Sequence, residues 1–308
     1  MKFYLVTGGA GFIGSHLVES LLATGNRVVV LDNFRTGTKE NLSAVAENSH
    51  LTIVEGDIRD QKTIAAVMAG VDGVFHLAAN VSVPVAKENP AESFDINVRG
   101  THNVLEAARR ASVSKVVLAS SAAVYGDASG EVVTENSTVC PISQYGLEKQ
   151  ILEKMAEFYD QAYGMQTVTL RLFNVFGPRQ SADSQYAGVI TLFAKCLREG
   201  KPIQIYGDGK QTRDFIYVSD VIRALMISMT KELAENRIFN VATGSSVSVL
   251  ALAKIMAEQK GAQTEIEHML AREGDILHSA ANVELIKNTL GFTAQTNLRD
   301  GLSEFMNY

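Results

Sequence analysis

Residues Val6-Thr7-Gly8-Gly9-Ala10-Gly11-Phe12-Ile13-Gly14 constrain this chain more than any other stretch. Gly8, Gly11 and Gly14 recur at every third position. They follow a strand-like run, Lys2–Val6, and open a stretch with helical apolar spacing, Gly14–Thr24. Glycines placed there permit a tight strand-to-helix turn. They also let a pyrophosphate approach the backbone N–H groups at the helix N-terminus. The third glycine lets the helix pack closely on the strand. A second apolar strand, Arg27–Leu31, is followed by Asp32. A carboxylate at that place accepts hydrogen bonds from an adenosine ribose diol and repels a 2′-phosphate, so the pattern predicts NAD rather than NADP. Arg35 is the one nearby cation that would soften this exclusion.

The alternation continues downstream. Leu51–Glu55, Gly73–Leu77, Lys115–Ala119 and Thr167–Arg171 read as strands, and Lys62–Ala69, Asn97–Ala111 and Gln144–Tyr163 as helices. Strands alternating with helices predict βαβ units and an α/β, doubly wound parallel sheet of the Rossmann type. The pattern holds to about residue 175. Beyond it, Phe176-Gly-Pro-Arg179 reads as a loop and Ser181–Tyr186 as polar and irregular. Helix-like segments at Gly188–Glu199, Val218–Lys231 and Val249–Lys260 are spaced by turns and short strands such as Ile203–Tyr206. The expected organisation is a dinucleotide-binding domain over 1–175 and a smaller α/β substrate-binding lobe over 176–308. Parts of 212–242 are expected to pack back onto the first domain. A chain of 308 residues is long enough for both.

Composition removes other classes. Lys and Arg total 28 against 34 Asp and Glu, a net charge of −6. That leaves no basic excess for binding a nucleic-acid backbone. No apolar run approaches the roughly 18–20 residues that span a bilayer. Met1-Lys2 leads straight into a strand-like run, without the apolar stretch and cleavage site of a signal peptide, so a cytoplasmic protein is expected. Cys140 and Cys196 match no metal or redox spacing and read as free thiols. The six histidines show no metal-ligand pairing, so no metal site is expected, and His76 and His102 read as structural.

Tyr145 and Lys149 lie four apart in a helical stretch and share a face. A lysine beside a phenol, with a cationic nicotinamide close by, is expected to lower the phenol pKa and make it a usable general base. A partner stands upstream in Ser120-Ser-Ala-Ala-Val-Tyr-Gly126, after the Lys115–Ala119 strand, at the carboxyl edge where such sheets carry their sites. Ser121 is placed to share a hydrogen bond with Tyr145 and a substrate hydroxyl. Asp57, after the third strand, either sits beside the adenine with Ile58 or caps the next helix.

With these residues in hand, the chain resembles the extended short-chain dehydrogenases/reductases of the nucleotide-sugar epimerase/dehydratase group. The likeness runs along nearly the whole sequence. Its landmarks are Thr7–Gly14, Asp32-Asn33-Phe34, Gly56-Asp57-Ile58, His76-Leu-Ala-Ala79, Asn97 with Gly100-Thr101, Ser121, Tyr145/Lys149, Arg171 through Arg179, Arg213-Asp-Phe-Ile-Tyr-Val218 and Arg272-Glu-Gly-Asp275. The resemblance implies NAD held by Gly8, Gly11, Phe12, Ile13, Gly14, Asp32, Asn33, Phe34, Arg35, Thr36, Gly37, Asp57, Ile58, Leu77, Ala78, Ala79, Asn97, Tyr145 and Lys149. It implies a sugar nucleotide held by Ser82, Ser121, Tyr145, Asn174, Gly188, Val189, Gln204, Tyr206, Arg213, Arg272, Asp275 and Ser279. Arg213 and Arg272 fit a diphosphate clamp.

Members of the group share an opening step, oxidation of a sugar carbon, usually C4, while the tyrosine takes the hydroxyl proton. Dehydratases in the group resemble S-T-D-E-V-Y-G and use the acidic pair to eliminate water. Here those positions are Ala122 and Ala123. UDP-glucuronate decarboxylases resemble S-E-V-Y-G, and Ala123 and Thr212-Arg213-Asp214 depart from their pattern. Ser-Ala-Ala-Val-Tyr and Arg272–Asp275 are similar to the UDP-glucose 4-epimerases, which implies inversion at C4 through a transient 4-keto sugar, with NAD regenerated in place. A gatekeeper position of the family, near the sugar C2 substituent, is Ser279, a small residue that leaves space for an N-acetyl group. UDP-GlcNAc/UDP-GalNAc are therefore expected as substrates beside UDP-Glc/UDP-Gal. An arginine frequent in relatives that act on acidic sugars is Val85, which disfavours UDP-uronates. The alternatives are a UDP-uronate 4-epimerase or decarboxylase, a dTDP- or GDP-sugar enzyme, a 4-reductase with exchangeable NADPH, and a regulatory NAD-binding module without catalysis. The group also implies a homodimer through a four-helix bundle of Asn97–Ala111 and Gln144–Tyr163 from each subunit.

Overall fold

Along the first strand Leu5 and Val6 point to opposite faces of a sheet, and both are fully buried. That alternation builds two cores. Val6, Val28, Val30, Phe75, Val117 and Leu170 belong to one; Leu5, Val29, Leu31, Val74, Val116 and Leu118 belong to the other. In the computed structural model, which describes residues 1–128, 130–181, 188–233, 237–262, 264–271 and 276–308, seven parallel strands form this sheet. They are β1 Phe3–Thr7, β2 Arg27–Asp32, β3 Leu51–Glu55, β4 Gly73–His76, β5 Lys115–Ser121, β6 Gln166–Leu172 and β7 Ile238–Val241. Their order is β7-β6-β5-β4-β1-β2-β3. β1 lies between β2 and β4, so the direction of winding reverses there and leaves a crevice at the carboxyl ends. The predicted doubly wound sheet is therefore present.

The helices Phe12–Ala23 and Val218–Thr230 pack against each other on one face; Thr101–Arg110 and Gln144–Tyr163 pair on the other. The glycine turn works as predicted, although the helix starts at Phe12 rather than Gly14. The helix expected from Asn97 begins instead as a π-helical turn, Asp95–Gly100, before Thr101–Arg110 continues it. Wide turns of this kind cluster at functional sites. Asp60, not Asp57, caps the helix Gln61–Val67, its side chain accepting the Lys62 N–H at 3.0 Å.

Past residue 175 the chain makes short pairs. Ile203–Tyr206 runs parallel to Ile266–Met269, and Thr212–Asp214 antiparallel to Ser246–Ser248. The helices Val189–Glu199 and Val249–Lys260 cover them through Phe193, Leu252 and Met256, which join the same core cluster as Val6 and Val30. The residues 182–186 of the polar stretch lie outside those described.

Candidate active site

The carboxyl ends of β1, β2, β4, β5 and β6 open into a single cavity of about 1000 Å³, which extends to Arg213 and Ser279 in the second lobe. At one end Gly8 takes φ +72°, the left-handed region, and an added Cβ there would stand 2.7 Å from the Ala78 backbone nitrogen. Gly14 has no room for a side chain either: its Cβ would fall 2.8 Å from the Gly9 Cα. Gly8, Gly11, Phe12, Ile13 and Gly14 all line the cavity. A loop this bare, at the start of a helix, fits a pyrophosphate.

Asp32 is buried, and its carboxylate organises the next turn. Oδ2 accepts the Ala10 N–H at 2.9 Å and Oδ1 accepts the Phe34 N–H at 2.9 Å. Burial raises its pKa, partly offset by those two amides. Each carboxylate oxygen has a second lone pair left for a ribose hydroxyl. Phe34 itself takes φ 55° and serves by its backbone, outside the cavity lining. Gly37 also lies outside it, pressed against Ala10, whose carbonyl carbon would be 2.7 Å from a Cβ. Arg35, Asn33, Thr36 and Ile58 line the cavity. The Arg35 guanidinium is held by Glu92, at 2.7 and 3.2 Å, so it is engaged rather than turned to a 2′-phosphate. Asp57 lines the cavity and is pulled down to about 2, first by the Arg59 hydrogen bond at 2.7 Å. Asn33 adds a bond to it at 2.9 Å. These residues fit NAD: a side-chain-free cradle for the pyrophosphate and a carboxylate for the ribose.

Leu77, Ala78 and Ala79 line the middle of the cavity, and Ser82 lies just beyond. Asn97 does not reach the lining. It is buried, its Oδ1 accepting the Asn80 N–H at 2.8 Å and its Nδ2 donating to the Asn80 carbonyl at 2.9 Å. His76 is structural: its ring nitrogens meet Thr7 at 2.8 Å and Thr101 at 2.9 Å, and burial holds its pKa down to about 3. His102, by contrast, is exposed, its ring 6.3 Å from that of Tyr159 on the neighbouring helix.

Ser121, Tyr145 and Lys149 meet in the cavity wall. The Ser121 side chain lies beside the Tyr145 hydroxyl and works to lower its pKa. Lys149 donates from Nζ to the Ala119 carbonyl at 2.7 Å, which anchors it to β5 just ahead of Ser121. Burial pushes the Tyr145 phenol up to about 12, with Ser121 working against the rise. The Lys149 ammonium, 5.8 Å from the Tyr145 ring centroid, is itself depressed by burial to about 8. A dry wall disfavours both charged forms.

On the sugar side Asn174, Gly188, Arg213 and Ser279 line the cavity. Asn174 donates to the Asp214 carbonyl at 2.9 Å, and Arg213 to the Thr212 carbonyl at 2.9 Å. Val189, Gln204 and Tyr206 stand outside the lining; Gln204 is exposed and donates to Glu267 at 3.4 Å. Arg272 and Asp275 lie outside the described residues.

Sequence reasoning missed the carboxylates behind this wall. Glu153 takes Arg171 in a two-point pair, at 2.9 and 2.8 Å, and accepts Ser120 Oγ at 2.6 Å. Glu148 accepts Ser93, Asn97 and Gln144. The signal was available: both acids fall on the helical stripe of Tyr145, Lys149, Leu152 and Ala156, which is buried throughout.

The model of the NAD dependent epimerase/dehydratase family matches residues 4–242. The chain is 36% identical over 307 residues to a protein of Mycolicibacterium smegmatis named UDP-glucose 4-epimerase, covering 99% of this chain and 97% of the relative. It is 35% identical over 303 residues to UDP-glucuronic acid decarboxylase 2 of Arabidopsis thaliana, covering 97% of this chain and 66% of that protein. The structure is similar to that of the UDP-N-acetylglucosamine 4-epimerase from Methanobrevibacter ruminantium M1, solved in complex with UDP-N-acetylmuramic acid. There the TM-score is 0.94 at 34% identity, over 99% of this chain and 97% of that one.

Proposed function

The chain belongs to the NAD-dependent epimerase/dehydratase family, and from that premise we propose that it is a UDP-hexose 4-epimerase that accepts UDP-GlcNAc/UDP-GalNAc as well as UDP-Glc/UDP-Gal. The observation that carries the reading is the pair Ala122 and Ala123, in the cavity wall beside Ser121 and Tyr145. The wall offers a base for a hydroxyl proton, and at positions 122 and 123 it carries methyl groups where an eliminating enzyme would need its acidic pair.

NAD, when bound, supplies the hydride acceptor and later the donor at the sugar C4. The chain's residues do the rest. Tyr145 takes the proton of the 4-hydroxyl and returns it on the opposite face. Ser121, beside the phenol in the same wall, aligns that hydroxyl. The 2.7 Å bond from Lys149 to Ala119 holds a cation beneath the site. A phenol raised by burial must find its stabilising charge in the assembled complex, which keeps it protonated until the ligands are in place. Arg213 grips the sugar diphosphate, with Arg272 as its proposed partner. Ser279 leaves space beside the sugar C2.

The uronate decarboxylase reading is the rival, favoured by the 35% identity to the plant enzyme. Against it, Val85 lines the cavity at the position where relatives that act on acidic sugars frequently carry an arginine. Incubation with UDP-Glc, UDP-GlcNAc and UDP-glucuronate, with the products resolved, decides between them. C4 epimers of the first two support the proposal. A pentose product from the third, with no epimers, removes it.

The proposed protein is a cytoplasmic homodimer. Phe158 and Tyr163 are exposed on the helix Gln144–Tyr163, in a groove with His102 and Ile151 that suits the same face of a second copy. Phe158→Glu should convert the dimer to monomer in sedimentation; a monomeric parent protein would remove that part. Both cysteines are free, in keeping with a reducing compartment. No helix among the described residues is long and apolar enough to cross a membrane.

A further inference from the structure

Glu148 lies between Tyr145 and Lys149 on the same helix; its charge works to raise the pKa of both, yet its hydrogen bonds go elsewhere. It is fully buried, and among the described residues its hydrogen-bond donors are all neutral. Oε2 accepts Ser93 Oγ at 2.7 Å and Asn97 Nδ2 at 2.7 Å, and Oε1 accepts Gln144 Nε2 at 2.9 Å. A carboxylate accepts at both oxygens and donates at neither, so it suits three converging donors as no neutral side chain does. This fixes the Asn97 amide, in the π-helical turn, with its Oδ1 and Nδ2 both turned to the Asn80 backbone. The amide therefore acts as a strand neighbour for Asn80, four residues past the end of β4.

Asn80 is the midpoint of a segment with two duties. Leu77–Ala79 line the cofactor half of the cavity and brace Gly8 of the phosphate turn. Val81, Ser82 and Val83 line the next part of the wall. We propose that Glu148 is a positioning residue: through Asn97 it pins segment 77–83, and so sets how firmly the protein retains its dinucleotide and how the sugar is presented to Tyr145. The part concerning the sugar rests on the epimerase reading above; the part concerning the dinucleotide does not.

The substitution Glu148→Gln keeps the side-chain shape and turns an N–H₂ group against a donor. The swap Gln144→Glu with Glu148→Gln restores complementarity, because the amide introduced at position 148 would then donate to the carboxylate introduced at 144 and accept from Ser93 and Asn97. Each purified protein is loaded with NADH and chased with excess NAD⁺, and bound NADH fluorescence is followed. Binding of UDP, whose diphosphate lies with Arg213 away from the clamp, is measured in parallel. Glu148→Gln should release NADH at least about tenfold faster, the scale of one lost charge-assisted hydrogen bond. It should leave UDP affinity unchanged, and the swap should recover most of the retention. Release unchanged in Glu148→Gln overturns the proposal, as does a parallel loss of UDP binding or a folded swap that recovers nothing. If Glu148→Gln does not fold, Asn97→Ala carries the test, and normal NADH retention in it is equally decisive against the clamp. Failure of the epimerase reading would instead appear as a parent protein that retains NADH and turns over no UDP-sugar.

Discussion

The guanidinium of Arg35 lies across the Glu92 carboxylate in a two-point contact, Nη1 to Oε1 at 2.7 Å and Nη2 to Oε2 at 3.2 Å, between residues 57 apart in the chain. The arginine depresses the Glu92 pKa, so the pair stays charged at neutral pH. It takes up the one cation of the β2 turn that could meet a 2′-phosphate. Glu92→Gln should therefore improve NADP⁺ binding about threefold, a scale suited to an exposed ion pair. NAD⁺ affinity should barely move, and adding Arg35→Ala should cancel the gain. Fluorescence titration of both nucleotides reads the effect. An NADP⁺ affinity that ignores Glu92 would show that Asp32 alone excludes the phosphate.

Tyr145→Phe removes the hydroxyl beside Ser121 and little else, since the ring sits in a packed wall. Turnover should fall by about a thousandfold or more, the range of a lost general base. Binding of UDP-sugar measured by calorimetry should change by less than about threefold. Retained epimerisation near the parent rate is the result that removes the assigned chemistry.

Ser279 donates its backbone N–H to the Thr212 carbonyl at 3.1 Å, which fixes where its side chain enters the cavity. Ser279→Tyr should lower kcat/KM for UDP-GlcNAc at least about tenfold relative to UDP-Glc, because a filled pocket rejects the acetamido group by overlap. A strong UDP-Glc preference in the parent protein, untouched by the substitution, would deny this residue any gating role.

His76 gives a pH signature independent of turnover. Its folded pKa, near 3, lies below the ordinary histidine value of 6.5, so between those limits the unfolded chain binds a proton that the folded chain refuses. Stability is then complete above pH 6.5 and declines as pH falls toward 3, by up to about 1.4 kcal/mol per pH unit from this group. Urea midpoints from about pH 7 to about pH 4 should fall in the parent protein and fall less steeply in His76→Gln. Equal slopes would mean that carboxylates, not His76, govern the acid limb.

Much of the site was legible because it is local. The glycines at 8, 11 and 14 need only the strand before and the helix after them, and Tyr145 and Lys149 need only a helical period. Glu148 and Glu153 were legible in principle, as acids on a buried stripe, but their partners were not. Ser93, Asn97 and Arg171 lie 55, 51 and 18 residues away, and no local rule links them. Phe34 and Gly37 show the opposite case. Both lie near Asp32 in sequence, yet their contribution is to the backbone, the Phe34 amide on Asp32 and Gly37 against Ala10.

By itself, then, the sequence determined the class of fold, the cofactor and the convergence of Ser121, Tyr145 and Lys149 on one wall, since each is written in spacing that neighbouring residues enforce. The net charge of −6, read alone, pointed only away from a nucleic-acid backbone. Tertiary structure decided what spacing does not encode: which charges face one another and how dry each is. It turned Lys149 toward Ala119, pushed the Tyr145 phenol up to about 12 and tied Arg35 to Glu92. Burial and pairing set a titration, and both arise only when segments distant in the chain close on one cavity.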